Sequence, residues 1–201
     1  MKTKMNTDER VMIFIDLRNV IDCSADMTNL DLRLDYEEMA DELVGSRTLT
    51  AAYMFDGRKR TGDDPCIRFH DALRSLGFRV ITRDSLGGSE DLEGDKRTQK
   101  EVDVALASKL IEQAFKDNYD TAIVVSGDRD FRPAIETVQN EGKRVEVAGF
   151  SYGMSPILRR CCDQFHDLDT MPIVTLSTPY EGSEEEEIPA VNSQEATEDA
   201  A

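Results

Sequence analysis

Residues 119–131 read Tyr119-Asp-Thr-Ala-Ile-Val-Val-Ser-Gly-Asp-Arg-Asp-Phe131, an apolar run that ends in a serine, a glycine and an aspartate. A second continuous apolar run covers residues 11–15 and ends at Asp16. Runs this short and this apolar are typical of strands buried on both faces, as in a parallel sheet. The sequence therefore predicts two buried strands, each followed directly by an acidic segment.

Strands and helices alternate along the rest of the chain. Segments rich in β-branched and aromatic residues predict three further strands, at residues 49–55, 78–82 and 145–150. Helical patterns separate the strands, at about residues 35–44, 65–76, 101–115 and 132–141. Typical boundary residues stand near helix starts and ends: Pro65, Pro133, Gly45, Gly77 and Gly142. The alternation predicts one doubly wound α/β domain, a parallel sheet of about five strands flanked by helices.

Composition divides the 201 residues into three parts. Residues 1–10 are an N-terminal extension, residues 11–170 form the predicted domain, and residues 171–201 form an acidic tail that we expect to be disordered. Within the domain, the glycine-rich segment at residues 85–95 predicts a mobile loop between the third strand and the next helix.

The charge of the chain limits what it binds. The net charge is −17, and eight acids without any base lie between residues 181 and 201, which leaves −9 on the rest. Such a body repels a polyanion, so nucleic-acid binding would require clustered Lys and Arg or a bridging divalent metal. The four cysteines form no CxxC pair, which predicts reduced thiols rather than a zinc site. With no apolar run of about 20 residues and no signal peptide, we expect a soluble cytoplasmic protein.

Aspartates follow two of the predicted strands, and another occupies the apolar face of a helix. Asp16 ends the first strand, with Asn19 three residues later, and Asp128 and Asp130 follow the fourth strand. Ligands of doubly wound sheets bind beyond the carboxyl ends of the strands, and carboxylates two apart in an extended segment point the same way. Asp103 shares a helical face with residues that should pack on the sheet: Leu106, Ala107, Leu110 and Ala114. Each aspartate alone is more often an N-cap or turn residue, so it is their concurrence that predicts one acidic site.

Carboxylates gathered in this way favour a metal ion. Asp103 is expected in the first turn of its helix, where the macrodipole helps it, but its approach to Asp16 and Asp128 is still repulsive. A divalent cation removes that cost, and hard oxygen ligands suit Mg²⁺ or Mn²⁺. The predicted metal ligands are Asp16, Asp103 and Asp128, and Asn19 is expected to orient a ligand or a water.

Five segments carry a family pattern through most of residues 11–169. They are Ile13-Phe-Ile-Asp-Leu-Arg-Asn19, Lys100-Glu-Val-Asp-Val-Ala-Leu-Ala107, the segment 119–131, Gly142-Lys-Arg-Val-Glu-Val147 and Ser155-Pro-Ile-Leu-Arg-Arg-Cys-Cys-Asp-Gln-Phe165. Together they resemble the NYN domains of the PIN-like nuclease superfamily, and in particular the LabA-like group.

The resemblance implies a PIN-like parallel sheet, Mg²⁺ or Mn²⁺ at the acidic cluster, and a metal-dependent endoribonuclease that hydrolyses RNA phosphodiester bonds. Asp16, Asp103 and Asp128 correspond to metal-binding acids, with Asp130 and Asn19 in support of catalysis. Relatives often have a further aspartate six residues after Asp103, where this chain has Lys109. That lysine would either weaken the site or neutralise part of it.

Basic residues near the predicted crevice are candidates for contacts with single-stranded RNA: Arg18, Arg58, Lys96, Arg97 and Lys100, together with Ser126 of the Ser-Gly-Asp motif. As phosphate contacts, the cations would position RNA without reading its sequence. The plain alternative is that charged loop residues are simply solvated. Aromatic residues are 6% of the chain and tryptophan is absent, so the composition predicts no base-stacking platform.

A second function stays open beside the nuclease. A catalytically weak or inactive regulatory or scaffold protein would keep the fold and bind RNA or a protein partner, and Lys109 and the acidic tail favour it. The tail would bind a partner, mimic RNA, or only add solubility, and a homodimer is a further hypothesis. An aspartate-nucleophile phosphatase is disfavoured, because that chemistry usually requires a second aspartate where Arg18 stands.

Overall fold

The computed structural model of the protein describes residues 8–27, 32–59, 65–85 and 92–176. Most of the N-terminal extension (1–7), most of the glycine-rich loop (86–91) and the acidic tail from residue 177 onward lie outside the described residues.

Strands and helices follow one another in the predicted alternation. In chain order they are β1 (Arg10–Asp16), α1 (Leu17–Met27), β2 (Leu32–Leu34), α2 (Tyr36–Val44), β3 (Thr48–Lys59), α3 (Pro65–Ser75), β4 (Arg79–Ser85), α4 (Leu92–Phe115), β5 (Thr121–Val125), α5 (Arg132–Asn140), β6 (Arg144–Gly149), α6 (Pro156–Cys161), β7 (Gln164–Asp167) and β8 (Val174–Leu176). Three helices end before glycines with positive φ, as predicted: Gly45, Gly77 and Gly142.

The main sheet has six strands in the order β4-β3-β1-β5-β6-β7, and every neighbouring pair is parallel. The chain therefore builds one half of the sheet outward from β1 to β4 and the other half from β5 to β7. The strand order reverses between β1 and β5, so the ligand crevice of this topology lies at their carboxyl ends. The predicted doubly wound parallel sheet is confirmed, with one strand more than the five expected.

Two apolar layers cover the faces of the sheet. One contains Ile13 and Ile15 of β1 and buried residues of α1, α2 and α3. The other contains Met12 and Phe14 of β1 and buried residues of α4, α5 and α6. Alternate residues of β1 thus enter opposite layers, and this burial on both faces explains why its sequence is a continuous apolar run.

The extra strand and the first helix escaped the sequence reasoning for a physical reason. Strand β7 is a four-residue edge strand, and none of its residues is buried, so it has no apolar run. Helix α1 places Leu17 and Val20 in the core but carries polar residues on most of its surface. Both elements are held by tertiary packing rather than by a strong local pattern.

Helix α4 begins at Leu92, nine residues before the predicted start at 101. Residues 92–95 are therefore helical, although they were expected in the loop. The early turns are mostly polar and contain a glycine, but Thr98 is buried and packs against Gly57 of β3. Asp103 consequently lies about three turns into the helix, so the expected help from the helix macrodipole is wrong, since that effect is confined to the first turn.

Folded contacts extend past the domain boundary drawn at residue 170. Ile173 is buried in the core, and its carbonyl accepts a hydrogen bond of 2.8 Å from the backbone N–H of Asp35. Strand β8 then pairs antiparallel with β2. Residues 171–176 therefore pack with the domain, and within the predicted tail the residues from 177 onward lie outside the described structure.

A buried ion network ties β6 to the end of α2. Glu146 accepts hydrogen bonds from Arg47 (3.0 and 3.1 Å) and Arg144 (2.8 Å), and pairs with His166 at 2.8 Å. Burial by itself raises the pKa of Glu146, but the bonds from His166, Arg47 and Arg144 outweigh it and lower the pKa to about 2. Ionised Glu146 therefore stabilises the fold above the usual carboxyl range, and this contribution is lost as the pH falls toward 2.

Glu146→Gln is expected to lower the free energy of unfolding by about 2 kcal/mol at pH 7, because a charge-assisted network loses its anion. The loss should be smaller at pH 4, since the unfolded wild type then binds more protons than the folded state. Urea unfolding of both proteins at the two pH values measures this. Glu141→Gln, at an exposed position, is the control, and an equal loss in that variant would contradict the network's role.

Candidate active site

The carboxyl ends of β1 and β5 place an aspartate and an acidic loop side by side. Asp16 is the last residue of β1, and residues 126–128 follow β5 directly. The two strands are hydrogen-bonded neighbours, with Ile15 opposite Val125. Asp16 is only 1% exposed, so its carboxylate is held inside the protein at the point where the strand order reverses.

Neutral donors hold both carboxylate oxygens of Asp16. The backbone N–H of Asn19 donates to Oδ1 at 3.3 Å, and the hydroxyl of Ser126 donates to Oδ2 at 3.1 Å. The same Ser126 oxygen accepts a bond of 3.1 Å from the backbone N–H of Asp128. Ser126 is 1% exposed, so it links the two acids from inside the protein, whereas the sequence analysis expected it to contact RNA.

Asn19 connects helix α1 to the acidic loop. Its Oδ1 accepts a hydrogen bond of 2.8 Å from the backbone N–H of Gly127. The amide oxygen that was expected to orient a ligand or a water therefore faces the protein. In this structure Asn19 fixes the position of the loop that carries Asp128.

The two aspartates of the loop have different surroundings. Asp128 caps a short 3-10 turn, Arg129–Phe131, and its Oδ1 accepts a bond of 2.9 Å from the backbone N–H of Asp130. Asp130 lies on that turn with its side chain 76% exposed. The expectation that both carboxylates point the same way from an extended segment is therefore not met, and Asp128 is the inner residue of the two.

Asp103 reaches the same edge from α4, on the opposite side of the sheet from α1. It is partly buried, and its Oδ1 accepts a bond of 3.0 Å from Gln99 one turn earlier. Burial is the main cause that raises its pKa, and the charges of Asp128 and Asp130 add to it. The predicted apolar face is present, since Leu106, Leu110 and Ala114 are buried.

Burial and the surrounding charges raise the pKa of Asp16 to about 7. Desolvation is the largest cause, and the carboxylates of Asp103 and Asp128 raise the pKa further against the hydrogen bonds from Asn19 and Ser126. The structure therefore brings Asp16, Asp103 and Asp128 within electrostatic reach of one another. A positive charge placed among them would relieve both the mutual repulsion and the desolvation of Asp16.

The donor set fits a hard divalent cation. In the described residues, no three Asp, Glu, His or Cys side chains converge into a ready-made metal cage. Mg²⁺ does not require one, because it keeps several waters and uses one or two carboxylates together with substrate phosphates. Carboxylates that raise each other's pKa, with no sulfur or imidazole among them, match that chemistry and not the chemistry of zinc.

Sequence reasoning missed Asp56, which ends the apolar part of β3 as Asp16 ends β1. Phe55 is opposite Asp16 in the sheet, so Asp56 lies at the same carboxyl edge. Its Oδ2 is 2.7 Å from Nε2 of buried His70 on α3. The signal that found Asp16, an acid directly after an apolar strand, was also present here.

Lys109 points away from the acids. Its ammonium pairs with Glu112 at 2.6 Å and lies 6.0 Å from the centre of the Tyr53 ring. The largest causes that shift the pKa values of Asp16 and Asp103 do not include this lysine. The suggestion that Lys109 neutralises part of the site is therefore not supported by its position.

The basic residues that were expected to contact RNA lie on different elements of the fold. Arg18, at the start of α1, is 63% exposed and pairs with Asp22 at 2.8 Å. Lys96, Arg97 and Lys100 are exposed on the early turns of α4. The side chain of Arg58 lies outside the described residues.

A close backbone contact holds the acidic loop. A Cβ on Gly127 would lie 2.4 Å from the carbonyl oxygen of Gly153, and the backbone N–H of Ser155 donates to the carbonyl of Gly127 at 3.0 Å. We call this pairing of residues 127 and 153–155 the loop clasp. With the bond from Asn19, it fixes the loop before Asp128 from two sides.

Comparison with known proteins agrees with this architecture. A crystal structure of a protein of unknown function from Vibrio parahaemolyticus has a TM-score of 0.67 and 25% identity, covering 84% of this chain and 98% of that one. The low amplitude and bright protein LabA of Synechococcus elongatus is 28% identical over 122 residues, 60% of this chain and 63% of LabA. An uncharacterized protein of Methanocaldococcus jannaschii is 40% identical over 63 residues, 31% of this chain and 26% of that protein. The chain thus spans less than two thirds of either curated relative.

A six-stranded parallel sheet with helices on both faces and acids at its switch point defines a PIN-like α/β domain. The chain belongs to the NYN domain family, which matches residues 10–169, and its similarity to LabA supports the LabA-like group. NYN domains commonly bind RNA, and nucleases of this class typically use divalent metals. Among the described residues, no helix is long and apolar enough to cross a membrane.

Proposed function

We propose that this protein is a metal-dependent endoribonuclease that hydrolyses phosphodiester bonds of single-stranded RNA. The observation that carries the proposal is the state of Asp16, a fully buried carboxylate whose pKa is raised to about 7 by burial and by neighbouring acids. A structural carboxylate is normally stabilised by cations, as Glu146 is. Perturbed carboxylates at a switch point are instead typical of a functional site.

Each acid has a distinct part in the proposal. Asp16 and Asp128 would hold Mg²⁺ or Mn²⁺ from the two central strands, and Asp103 would approach it from α4. When bound, such a metal lowers the pKa of a water and stabilises charge on a phosphodiester oxygen. Asp130, exposed at the rim, would accept the proton of the attacking water, and bulk water would protonate the leaving oxygen as the P–O bond breaks. Asn19 and Ser126 keep the acids in position.

The basic residues of α1 and α4 supply the approach for RNA. Arg18 lies on α1, and an exposed turn of α4 carries Lys96, Arg97 and Lys100; both helices flank the acids. Arg58 lies near the end of β3. Because the body is acidic, these cations and the metal together must offset the field that repels RNA. They contact phosphates, so we expect little dependence on base sequence from them.

Metal binding and cleavage can be tested together. Mg²⁺ or Mn²⁺ at a hundredfold excess over Kd should raise the unfolding temperature by roughly 5 °C or more, and the wild type should cleave single-stranded RNA only when a metal is present. Asp128→Asn should lose the metal-dependent shift and about a hundredfold of the cleavage rate. Its fold should persist, because asparagine is as good an N-cap as aspartate.

A regulatory or scaffold protein of the same fold is the second candidate, favoured by Lys109 where relatives often carry an acid. In that case the protein would bind metal and RNA without turnover, and the rate would not differ between wild type and Asp128→Asn. We also expect a cytoplasmic location, a homodimer, and a protein partner that binds the acidic tail. Sedimentation of the full chain and of a variant that ends at residue 176 tests the last two.

A further inference from the structure

An aromatic side chain stands in solvent at the edge that carries the acids. Tyr152 lies in the turn between β6 and α6 and is 59% exposed. Strand β6 is the neighbour of β5 on the side away from β1, so the turn emerges two strands from Asp16, roughly 10 Å across the sheet. The ring is therefore presented beside the proposed path of the substrate.

The backbone on both sides of Tyr152 is braced. The N–H of Ser151 donates to Asp169 at 2.9 Å. Gly153 adopts φ +84°, and a Cβ there would lie 2.5 Å from the sulfur of Cys23 on α1. These contacts fix the backbone on both sides of Tyr152, and its ring is exposed from that fixed turn.

The same bracing connects Tyr152 to the acidic loop. Gly153, its neighbour in sequence, is the residue whose carbonyl meets Gly127 in the loop clasp, and Gly127 precedes Asp128. One backbone contact therefore links Gly153, the residue after Tyr152, to Gly127, the residue before Asp128. Arg129, which follows Asp128, is 71% exposed, so a cation stands on the same rim as the ring.

An exposed ring at an edge that also carries an exposed arginine, paired with Asp130 at 3.9 Å, is suited to single-stranded RNA. Unpaired bases stack on aromatic side chains in a sequence-tolerant way while basic residues follow the backbone. Isolated exposed apolar residues are common on proteins, and Phe115 is an example at 62% exposure. Tyr152 differs because the backbone on both sides of it is held and its turn lies at the edge that carries the acids. Composition predicted no stacking platform, and this residue supplies one through its place in the fold.

We propose that Tyr152 stacks on an unpaired base of the RNA next to the phosphate held by the acidic site. This inference rests on the proposed function for its ligand, RNA, but not for the cleavage step. It makes Tyr152 a binding residue that favours unpaired over paired RNA, because a paired base does not offer its face to the ring.

Fluorescence tests the contact directly, because the natural chain contains no tryptophan. Tyr152→Trp in an Asp128→Asn background gives a single reporter in a protein that we expect to cleave RNA about a hundredfold more slowly than the natural chain. Its emission should be quenched by a ten-nucleotide RNA strand of non-self-complementary sequence, and not by the same strand paired with its complement. The matched control is Phe115→Trp, at the far end of α4 six residues before β5 begins, and its emission should not change.

Binding and kinetics provide the second readout. In the Asp128→Asn background, Tyr152→Ala should weaken binding of the single strand about tenfold, Tyr152→Phe should restore it, and Phe115→Ala should leave it unchanged. In the otherwise natural chain, Tyr152→Ala should raise KM and change kcat little.

The outcomes separate the two proposals. Quenching and tenfold weaker binding without any cleavage by the natural chain would support the stacking residue and refute the nuclease. Normal cleavage with unaltered KM in Tyr152→Ala, or unquenched emission on a bound single strand, would overturn the stacking residue and leave the nuclease standing. Absence of RNA binding by the natural chain would also overturn the stacking residue.

Discussion

Asp16→Asn is expected to lower the rate of RNA cleavage by about a thousandfold and, without metal, to make the protein more stable above pH 7. The loss of rate follows from its buried place between β1 and β5, where its charge would hold the metal. The gain in stability follows from removing a buried carboxylate that raises the energy of the fold when it ionises. Asparagine has the same shape, so the surrounding chain should not need to move.

The pH dependence has a definite sign. The pKa of Asp16 is raised from 3.8 to about 7, so between these values the folded state holds a proton that the unfolded state has released. The wild type therefore loses stability as the pH rises from 4 to 7, by at most roughly 4 kcal/mol at about 1.36 kcal/mol per pH unit. Asp16→Asn lacks this loss, so the two curves should diverge toward pH 8.

Urea unfolding with a chelator at pH 5.5 and pH 8, together with cleavage in Mn²⁺, measures both effects. Asp41→Asn is the charge-matched control, because Asp41 lies on α2 at an exposed position near the amino end of β3. That control should keep the natural rate and the natural pH profile. The proposed site would be falsified if Asp16→Asn cleaved RNA at the natural rate.

Gly127→Ala is expected to reduce cleavage about a hundredfold and to destabilise the fold by about 3 kcal/mol. The new methyl group would lie 2.4 Å from the carbonyl oxygen of Gly153, 3.0 Å from its carbonyl carbon and 3.2 Å from Cα of Met154. All three atoms belong to the backbone, so no side-chain rotation relieves the clash. The loop clasp must open, and Asp128 then moves relative to Asp16.

Gly142→Ala separates this effect from ordinary glycine strain. Gly142 has φ +78°, and a Cβ added there would have no atom within 4 Å. Alanine should therefore cost about 1 kcal/mol through its backbone conformation and leave the cleavage rate unchanged. Rates should be compared at 15 °C, where both variants are folded. If Gly127→Ala loses only stability and keeps its rate per folded molecule, the clasp does not position the acids.

The local sequence was sufficient for the elements buried on both faces. β1 and β5 are continuous apolar runs because each residue enters one of the two core layers, and the acids that follow them were visible for the same reason. Asp103 was also found from one helix, since its apolar neighbours Leu106 and Leu110 mark the face that packs on the sheet. These features depend on side-chain periodicity, which a single segment carries.

Other features depend on contacts between segments distant in sequence. The sequence did not predict the start of α4 at Leu92, because the first turns of the helix are polar. Thr98 is buried there only because Gly57 of β3 leaves space for it. The sequence predicts an exposed loop hydroxyl at Ser126, whereas in the structure this hydroxyl donates to Asp16 at 3.1 Å. Lys109 was a candidate to neutralise part of the acidic site until its partner was found to be Glu112.

By itself, the sequence determined the doubly wound α/β class, the family pattern and the identity of the principal aspartates, because burial periodicity and local motifs are written within short segments. Only the tertiary structure decided that β1 and β5 are neighbours, that Asp16 is buried with a raised pKa, that the loop clasp holds Asp128, and that Tyr152 is exposed beside the acids. The physical reason is that desolvation, charge coupling and backbone contact are set by residues from different segments of the chain, such as Asp16 and Ser126, and no local pattern contains both partners.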